Sequence, residues 1–323
     1  MESVQLRLVY VFTDLILPLA VGYVLRGKQW LGAEFCNKMI RFNVIVVYTL
    51  LSLLSFWELP LTFKLFWLPV FGLLLSVIPG AISYFFVARR YTNLLDRGSY
   101  ITSTVASNIG TLGGVCAFIL YGELGFAYTQ MVSIPQTVTL FLFCFPVGQY
   151  YHAQYHNKND GAIKTKLTFR EMFLTWNQLP LVAICVGVFL HFSGIERPVI
   201  LGTAFEWLVH VGAWTALLPV GFLINFSAAR QYYLRLWDAL LTRFIITPII
   251  IFLLASYLFQ DYQLLATVLV LSLTPTAVNS VVTAQLFQLN VDLSMASFIM
   301  TTALYLFIIY PLLYIYITNG YPL

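Results

Sequence analysis

Two asparagines, Asn108 and Asn279, interrupt hydrophobic runs that are otherwise long enough to cross a bilayer. Turn-forming and hydroxyl residues cluster beside each: Ser107, Ile109, Gly110 and Thr111 around the first, and Thr274, Pro275, Thr276, Ala277 and Val278 before the second. A carboxamide offers an acceptor and a donor without carrying charge. In hydrocarbon an unsatisfied backbone group costs several kcal/mol, so a helix opens only where it is buried in protein or lines a watery cavity. Opposed half-helix ends at such a break offer partial positive charge from N-termini and carbonyl acceptors from C-termini, which suits a small ion. Pro275 frees the carbonyl one turn earlier. The competing interpretation is that the asparagines merely satisfy freed backbone groups or bond across helices. Their matching places, 171 residues apart (279 minus 108), favour a substrate site built from Asn108, Ile109, Gly110, Thr111, Thr274, Pro275, Thr276, Val278 and Asn279.

Ionisable side chains within apolar runs are few, and each is expensive enough to suggest a function. Asp14, two turns into the first run, offers a proton or cation site, or else sits in the interface. Arg243, two turns into the eighth, can neutralise an anionic substrate, although its distance from the near surface favours snorkelling. Glu206 and His210, one helical turn apart, are expected to pair at the outer surface. Cys36 is expected in a loop and Cys116, Cys144 and Cys185 within spans, without metal-ligand spacing. Catalysis needs a nucleophile with its base, a carboxylate pair or metal ligands. No histidine or carboxylate stands close in sequence to either break, so neither an enzyme nor a cofactor is expected.

The elements that must position these groups are membrane spans. Of the 323 residues 60% are hydrophobic and 9% charged, and the mean hydropathy is +0.85, more apolar surface than a soluble core absorbs. A crossing takes about 20 apolar residues. Ten runs of that order are found, at about residues 9–25, 39–59, 65–87, 98–121, 126–150, 179–192, 205–226, 235–257, 265–287 and 293–316. The amphiphilic stretch Thr168–Gln178 is expected to complete the short sixth run or lie along the interface. Glu2 before Arg7, with no cleavage site ahead of Arg26, reads as a retained span and not a signal peptide. Of the 17 Lys and Arg, Arg7, Lys64 and Arg197 fall on one side and the other 14 on the opposite side. The positive-inside rule then puts both termini outside, in the plasma (inner) membrane. The net charge of +4 reflects this topology and calls for no nucleic acid. Trp57, Trp67, Trp176, Trp207 and Trp237 read as interfacial belt residues.

A shift of 171 residues lays the first five runs over the last five, and an odd number of crossings per half inverts the second. The expected fold is therefore all-α and polytopic, with ten transmembrane helices in two inverted five-helix repeats. Residues 1–150 form the first repeat, 151–178 a flexible cytoplasmic linker and 179–323 the second repeat.

Together these residues resemble the auxin efflux carrier family, whose prokaryotic members include malate and malonate permeases. Asn177, Pro180, Ala183 and Gly187 with Gly194, Ile195 and Pro198 are similar to its sixth-span signature, and Leu218, Pro219, Val220, Gly221 and Leu223 to its seventh. Arg243 with Pro248 resembles the eighth span. Thr274, Pro275, Ala277, Val278 and Asn279, followed by Ala284, Asp292 and Ala296, resemble the ninth-span crossover and the helix after it. In the first half the match is Asn108, Ile109, Gly110, Leu112 and Gly113. The resemblance implies unwound helices 4 and 9 crossing at the substrate site, with helices 1, 2, 6 and 7 as scaffold and 3–5 and 8–10 as transport core. It also implies a secondary transporter of a small organic anion, auxin-like or dicarboxylate, and a possible homodimer through the scaffold. Plant-type carriers have a proline at both crossovers, whereas the first crossover here has none, and the short linker favours a compact permease. Two other readings stay open: a sodium-coupled, bile-acid-symporter-like carrier, disfavoured by the lack of carboxylates beside Asn108 and Asn279, and an intramembrane enzyme.

Overall fold

The computed structural model describes residues 9–28, 30–159, 179–224 and 230–319. Glu2, Arg7, Trp176, Asn177 and the stretch 160–178 lie outside the described residues. The described chain is helical throughout. Its helices are α1 (Leu17–Gly27), α2 (Glu34–Glu58), α3 (Phe63–Arg90), α4 (Leu94–Val105), α5 (Gly114–Thr139), α6 (Phe145–Asn159), α7 (Leu179–Phe192), α8 (Val199–Leu223), α9 (Trp237–Leu258), α10 (Tyr262–Ser272), α11 (Asn279–Leu286) and α12 (Val291–Thr318).

Among the described residues six helical runs have the length and apolar composition to cross a membrane: α2, α3, the run Ile109–Gln136, which is interrupted at Gly122, α8, α9 and α12; α7 and α10 are shorter apolar helices. Large apolar side chains face outward, Phe86 at 76%, Tyr257 at 90% and Leu234 at 91% exposure, while Ser99, Thr102, Ser103, Thr274 and Ser294 are fully buried. Apolar outside and hydroxylic inside is the pattern of a protein whose solvent is lipid. Trp67, Trp207 and Trp237 are exposed.

Two expectations are corrected here. Helix α6 continues to Asn159, nine residues into the stretch read as a linker. Its polar composition lowers the hydropathy without breaking the helix, because Gln, Lys and Asn cost little in a helix outside hydrocarbon. Cys36 is helical and buried rather than in a loop.

The chain divides into two units. The first comprises Met1–Leu65, Gly110–Gln130 and Thr168–Ile224, and the second Phe66–Ile109, Met131–Leu167 and Asn225–Leu323.

In the first unit α1 lies on α8, where an added Cβ at Gly22 would stand 2.0 Å from the Leu218 carbonyl oxygen and one at Gly221 2.1 Å from that of Leu19. Backbones meet this closely only through glycine. Val47, Tyr48, Leu51 and Leu54 of α2 pack with Phe126, Phe205 and Val209. Asn43 of α2 donates to the Gly212 carbonyl (2.7 Å) and Thr215 Oγ1 (2.6 Å) of α8. Gly122, at φ 63° and ψ −147°, turns the Ile109–Gln136 run back on itself. At that turn Glu123 receives both terminal nitrogens of Arg197, which also donates to the Leu54 carbonyl at 3.0 Å.

In the second unit three helices begin on polar caps: the Asn93 side chain accepts from Leu95 N (2.9 Å), Asp261 from Gln263 N (2.8 Å) and Asn290 from Leu293 N (3.1 Å). Such caps satisfy amides that a helix start leaves open. Helix α4 packs its small face on α12, with Ser103 Oγ donating to Ser294 Oγ (3.2 Å) and Ser99 Oγ to the Asn290 carbonyl (2.8 Å). Ile101, Val105, Cys144, Tyr151, Ala284 and Phe287 close the core of this unit.

Candidate functional site

Helices α4 and α10 both stop in mid-unit, and the breaks that follow them meet. Ser107 and Thr276 form an isolated antiparallel bridge. Asn108 N donates to the Pro275 carbonyl (2.8 Å) and Ala277 N to that of Ala106 (2.9 Å). Each break thus supplies the partner that the other lost on leaving its helix, which answers where buried backbone groups find hydrogen bonds. The remaining groups go to side chains. Gln136 Nε2 donates to the Ser107 carbonyl at 2.7 Å, and Thr276 N to Thr301 Oγ1 at 3.1 Å. The Thr276 and Ser297 hydroxyls lie 3.2 Å apart.

Arg243 completes the arrangement. It sits in a π-helical turn, Thr242–Ile246, of α9 and is 4% exposed. Nη1 donates to Ser107 Oγ and the Thr274 carbonyl (3.2 Å). Nη2 donates to the carbonyls of Thr104, Ala106 (3.2 Å) and Ser103 (3.4 Å). One guanidinium therefore caps the C-terminal ends of two half-helices, where partial negative charge gathers. The expectation that Arg243 snorkels is overturned, because the orphan carbonyls hold its head in the interior more strongly than the near surface attracts it. Among the described residues no carboxylate lies within ion-pair distance of Arg243.

The register of the crossing also corrects the matching of the breaks. The bridge pairs residues 169 apart (276 minus 107), two fewer than the offset that superimposes Asn108 on Asn279. The local two-fold of an antiparallel bridge then relates Asn108 to Ala277, and Asn279 to Gly110. Sequence matching lays asparagine on asparagine, whereas the crossing is made by backbone amides that any residue supplies. The two asparagines differ accordingly. Asn108 is buried, and Asn279 is exposed at the first position of α11, its carboxamide unpartnered among the described residues.

Of the other expected site residues, Ile109, Thr274, Pro275 and Thr276 are buried in the crossing itself, and Val278 is half-buried beside it. Gly110 and Thr111, half-buried, belong to the first unit, where the Tyr48 hydroxyl donates to the Gly110 carbonyl (3.1 Å). Asp14 also belongs to the first unit. There the expected pairing of His210 with Glu206 is replaced by a contact 196 residues distant, His210 Nδ1 standing 2.6 Å from Asp14 Oδ2. Helical spacing offered Glu206 as the nearest acid and could not reveal one on another helix. Gln136, Ser297 and Thr301, which satisfy the breaks, were missed; the only signal was a polar side chain within an apolar run. Among the described residues no group of His, Cys, Asp or Glu is arranged to hold a metal ion. Compared with protein-family models and with curated proteins, the chain matches none.

Proposed function

We propose that this protein is a secondary membrane transporter of a small organic anion, of the auxin efflux carrier type. On this reading ten spans form two inverted five-helix repeats, both termini lie outside the plasma (inner) membrane, and alternating access operates around the crossed breaks. Support for the repeat comes from spacing: the helix caps Asn93 and Asp261 are 168 residues apart (261 minus 93), close to the 169 of the bridging pair. The division of the chain supports scaffold and core in part, since it groups Gly110–Gln130, expected in the core, with the scaffold helices. One unit holds α1, α2, α7 and α8 with the segment Gly110–Gln130, and the other α3, α4, α6 and α9–α12.

The observation that carries the anion is Arg243. Its terminal nitrogens donate to carbonyls and to the Ser107 hydroxyl, and its charge meets no carboxylate among the described residues, so the crossing holds an unbalanced positive charge in a low-dielectric interior. The N-terminus of α11 adds a positive dipole end, and the Asn279 carboxamide stands at it. An anion there balances the guanidinium without touching it.

Currents or radiolabel uptake by the purified protein in proteoliposomes, against a panel of mono- and dicarboxylates and indole acids, test this. One acid class gives a saturable signal. Asn279→Ala weakens it about tenfold or more, the scale of one or two hydrogen bonds to a charged group, and leaves the melting temperature in place. Asn108→Ala lowers the melting temperature, because it empties a buried side-chain position while leaving the backbone bonds of the crossing in place. Wild-type transport in a folded Asn279→Ala protein rules out the assigned site.

A further inference from the structure

The first unit contains a second intramembrane ionisable site that the anion crossing does not use. Asp14 lies in a π-helical turn, Val11–Ile16, at 4% exposure. Oδ2 is 2.6 Å from His210 Nδ1 of α8, and Oδ1 accepts from Thr13 Oγ1 at 3.3 Å. Rings enclose the imidazole: Tyr10 at 4.6 Å, Phe118 edge-on at 6.3 Å and Trp207 at 6.5 Å between centroids. Tyr10 and Phe118 also line a cavity of about 250 Å³ whose other walls include Glu123 and Glu206. Glu206 is exposed, so the cavity reaches the protein surface.

We infer that the Asp14–His210 pair is a reversible proton-binding site, loaded from the surface through this cavity. A carboxylate alone in a span is costly, and a lysine or arginine partner would neutralise it permanently. Histidine is the side chain whose charge changes between about pH 5 and 8. With the imidazole neutral the pair carries one negative charge, and uptake of one proton makes it an imidazolium–carboxylate pair of zero net charge. Among the described residues, titratable groups near the pair include Tyr10 beside it on the first helical run, Glu206 one turn away on α8 and Glu123 at the start of the hairpin's second arm. Arg197 already balances Glu123 through two hydrogen bonds, with Glu58 3.5 Å from the same guanidinium. That this proton is coupled to transport rests on the carrier reading; that it binds does not.

Imidazole ¹⁵N spectra of the substrate-free protein in nanodiscs, recorded from about pH 5 to 8, give the test. His210→Gln identifies the resonance. In the wild type that ring passes reversibly between neutral and doubly protonated forms, and Asn in place of Asp14, which keeps the shape of the side chain, moves its midpoint down by about one pH unit or more through loss of the counter-charge. A ring that holds one protonation state across the range overturns the inference, as does a midpoint that Asp14→Asn leaves unmoved. Because no substrate is present, failure of the carrier reading leaves this outcome unaffected. Where transport is measurable, Asp14→Asn removes its pH dependence while retaining flux.

Discussion

Replacing Arg243 by methionine lowers the stability of the protein by about 3 kcal/mol or more and, on the proposed carrier reading, abolishes transport. The side chain is of similar length and apolar, so volume is largely kept and what is lost is the set of donors. The Ala106 carbonyl retains Ala277 N as a partner, but the carbonyls of Thr104 and Thr274 and the hydroxyl of Ser107 lose the donors Arg243 gives them. A buried acceptor left open costs about 1–3 kcal/mol. For a unit of this size a loss of that order lowers the melting temperature by roughly 6–12 °C. Arg243→Lys separates charge from geometry: an ammonium keeps the positive charge but has one nitrogen in place of a planar fork. It reaches one carbonyl cluster and not both, and recovers only part of the stability. If Arg243→Met melts with the wild type, the guanidinium is not what holds the breaks together. Thermal unfolding of the two variants in one detergent distinguishes these results.

Gly22→Ala and Gly221→Ala each produce a comparably large loss in the other unit. The added methyl would stand 2.0 Å from the Leu218 carbonyl oxygen in one case and 2.1 Å from that of Leu19 in the other. These neighbours are backbone, so no rotamer relieves the clash and α1 must move off α8 along its length. Overpacking of a tight contact costs typically 1–3 kcal/mol, and here it also draws Asp14 away from His210. The double variant is less than additive, because the first methyl already opens the crossing that the second would meet. Gly27→Ala is the control: nothing lies within 4 Å of its added Cβ, and it unfolds with the wild type. Two variants that melt like Gly27→Ala would show that α1 and α8 do not meet through glycine.

The membrane character was legible because twenty apolar residues in a row have few other uses, and the broken runs were legible because Pro275 and the glycines Gly110 and Gly113 disturb an otherwise helical pattern. That the two breaks pair was not readable, since a bridge between backbone amides leaves no mark on side-chain type. The same reason hid the register, where matching Asn108 with Asn279 displaced it by two residues. Arg243 was misread because its partners are carbonyls, which every residue carries; from sequence only its distance to the nearest surface could be judged. His210 was assigned the acid one turn away because spacing on one helix is visible and proximity between helices is not. Hydropathy marks Tyr151–Asn159 as a linker because it measures residence in lipid, whereas a helix can leave the bilayer without ending.

The π-helical turns have a consequence of another kind. They occur at Val11–Ile16, Asn43–Tyr48, Ser83–Val87, Ile109–Gly113, Leu140–Cys144, Thr242–Ile246 and Tyr305–Ile309, and Asp14, Asn43 and Arg243 each sit in one. A residue inserted into an α-helix rotates everything beyond it by about 100°, turning lipid-facing side chains inward. A π turn holds such an extra residue locally, so the faces before and after it stay in register. Deleting one residue within a π turn should therefore shorten these helices to ordinary α geometry and leave their outer faces toward lipid, whereas the same deletion a turn away would misdirect half a span. Length variation among descendants of this chain is then expected to concentrate at the wide turns that carry its polar side chains. Within its membrane helices, the positions most tolerant of gain or loss of a residue are also those closest to its chemistry.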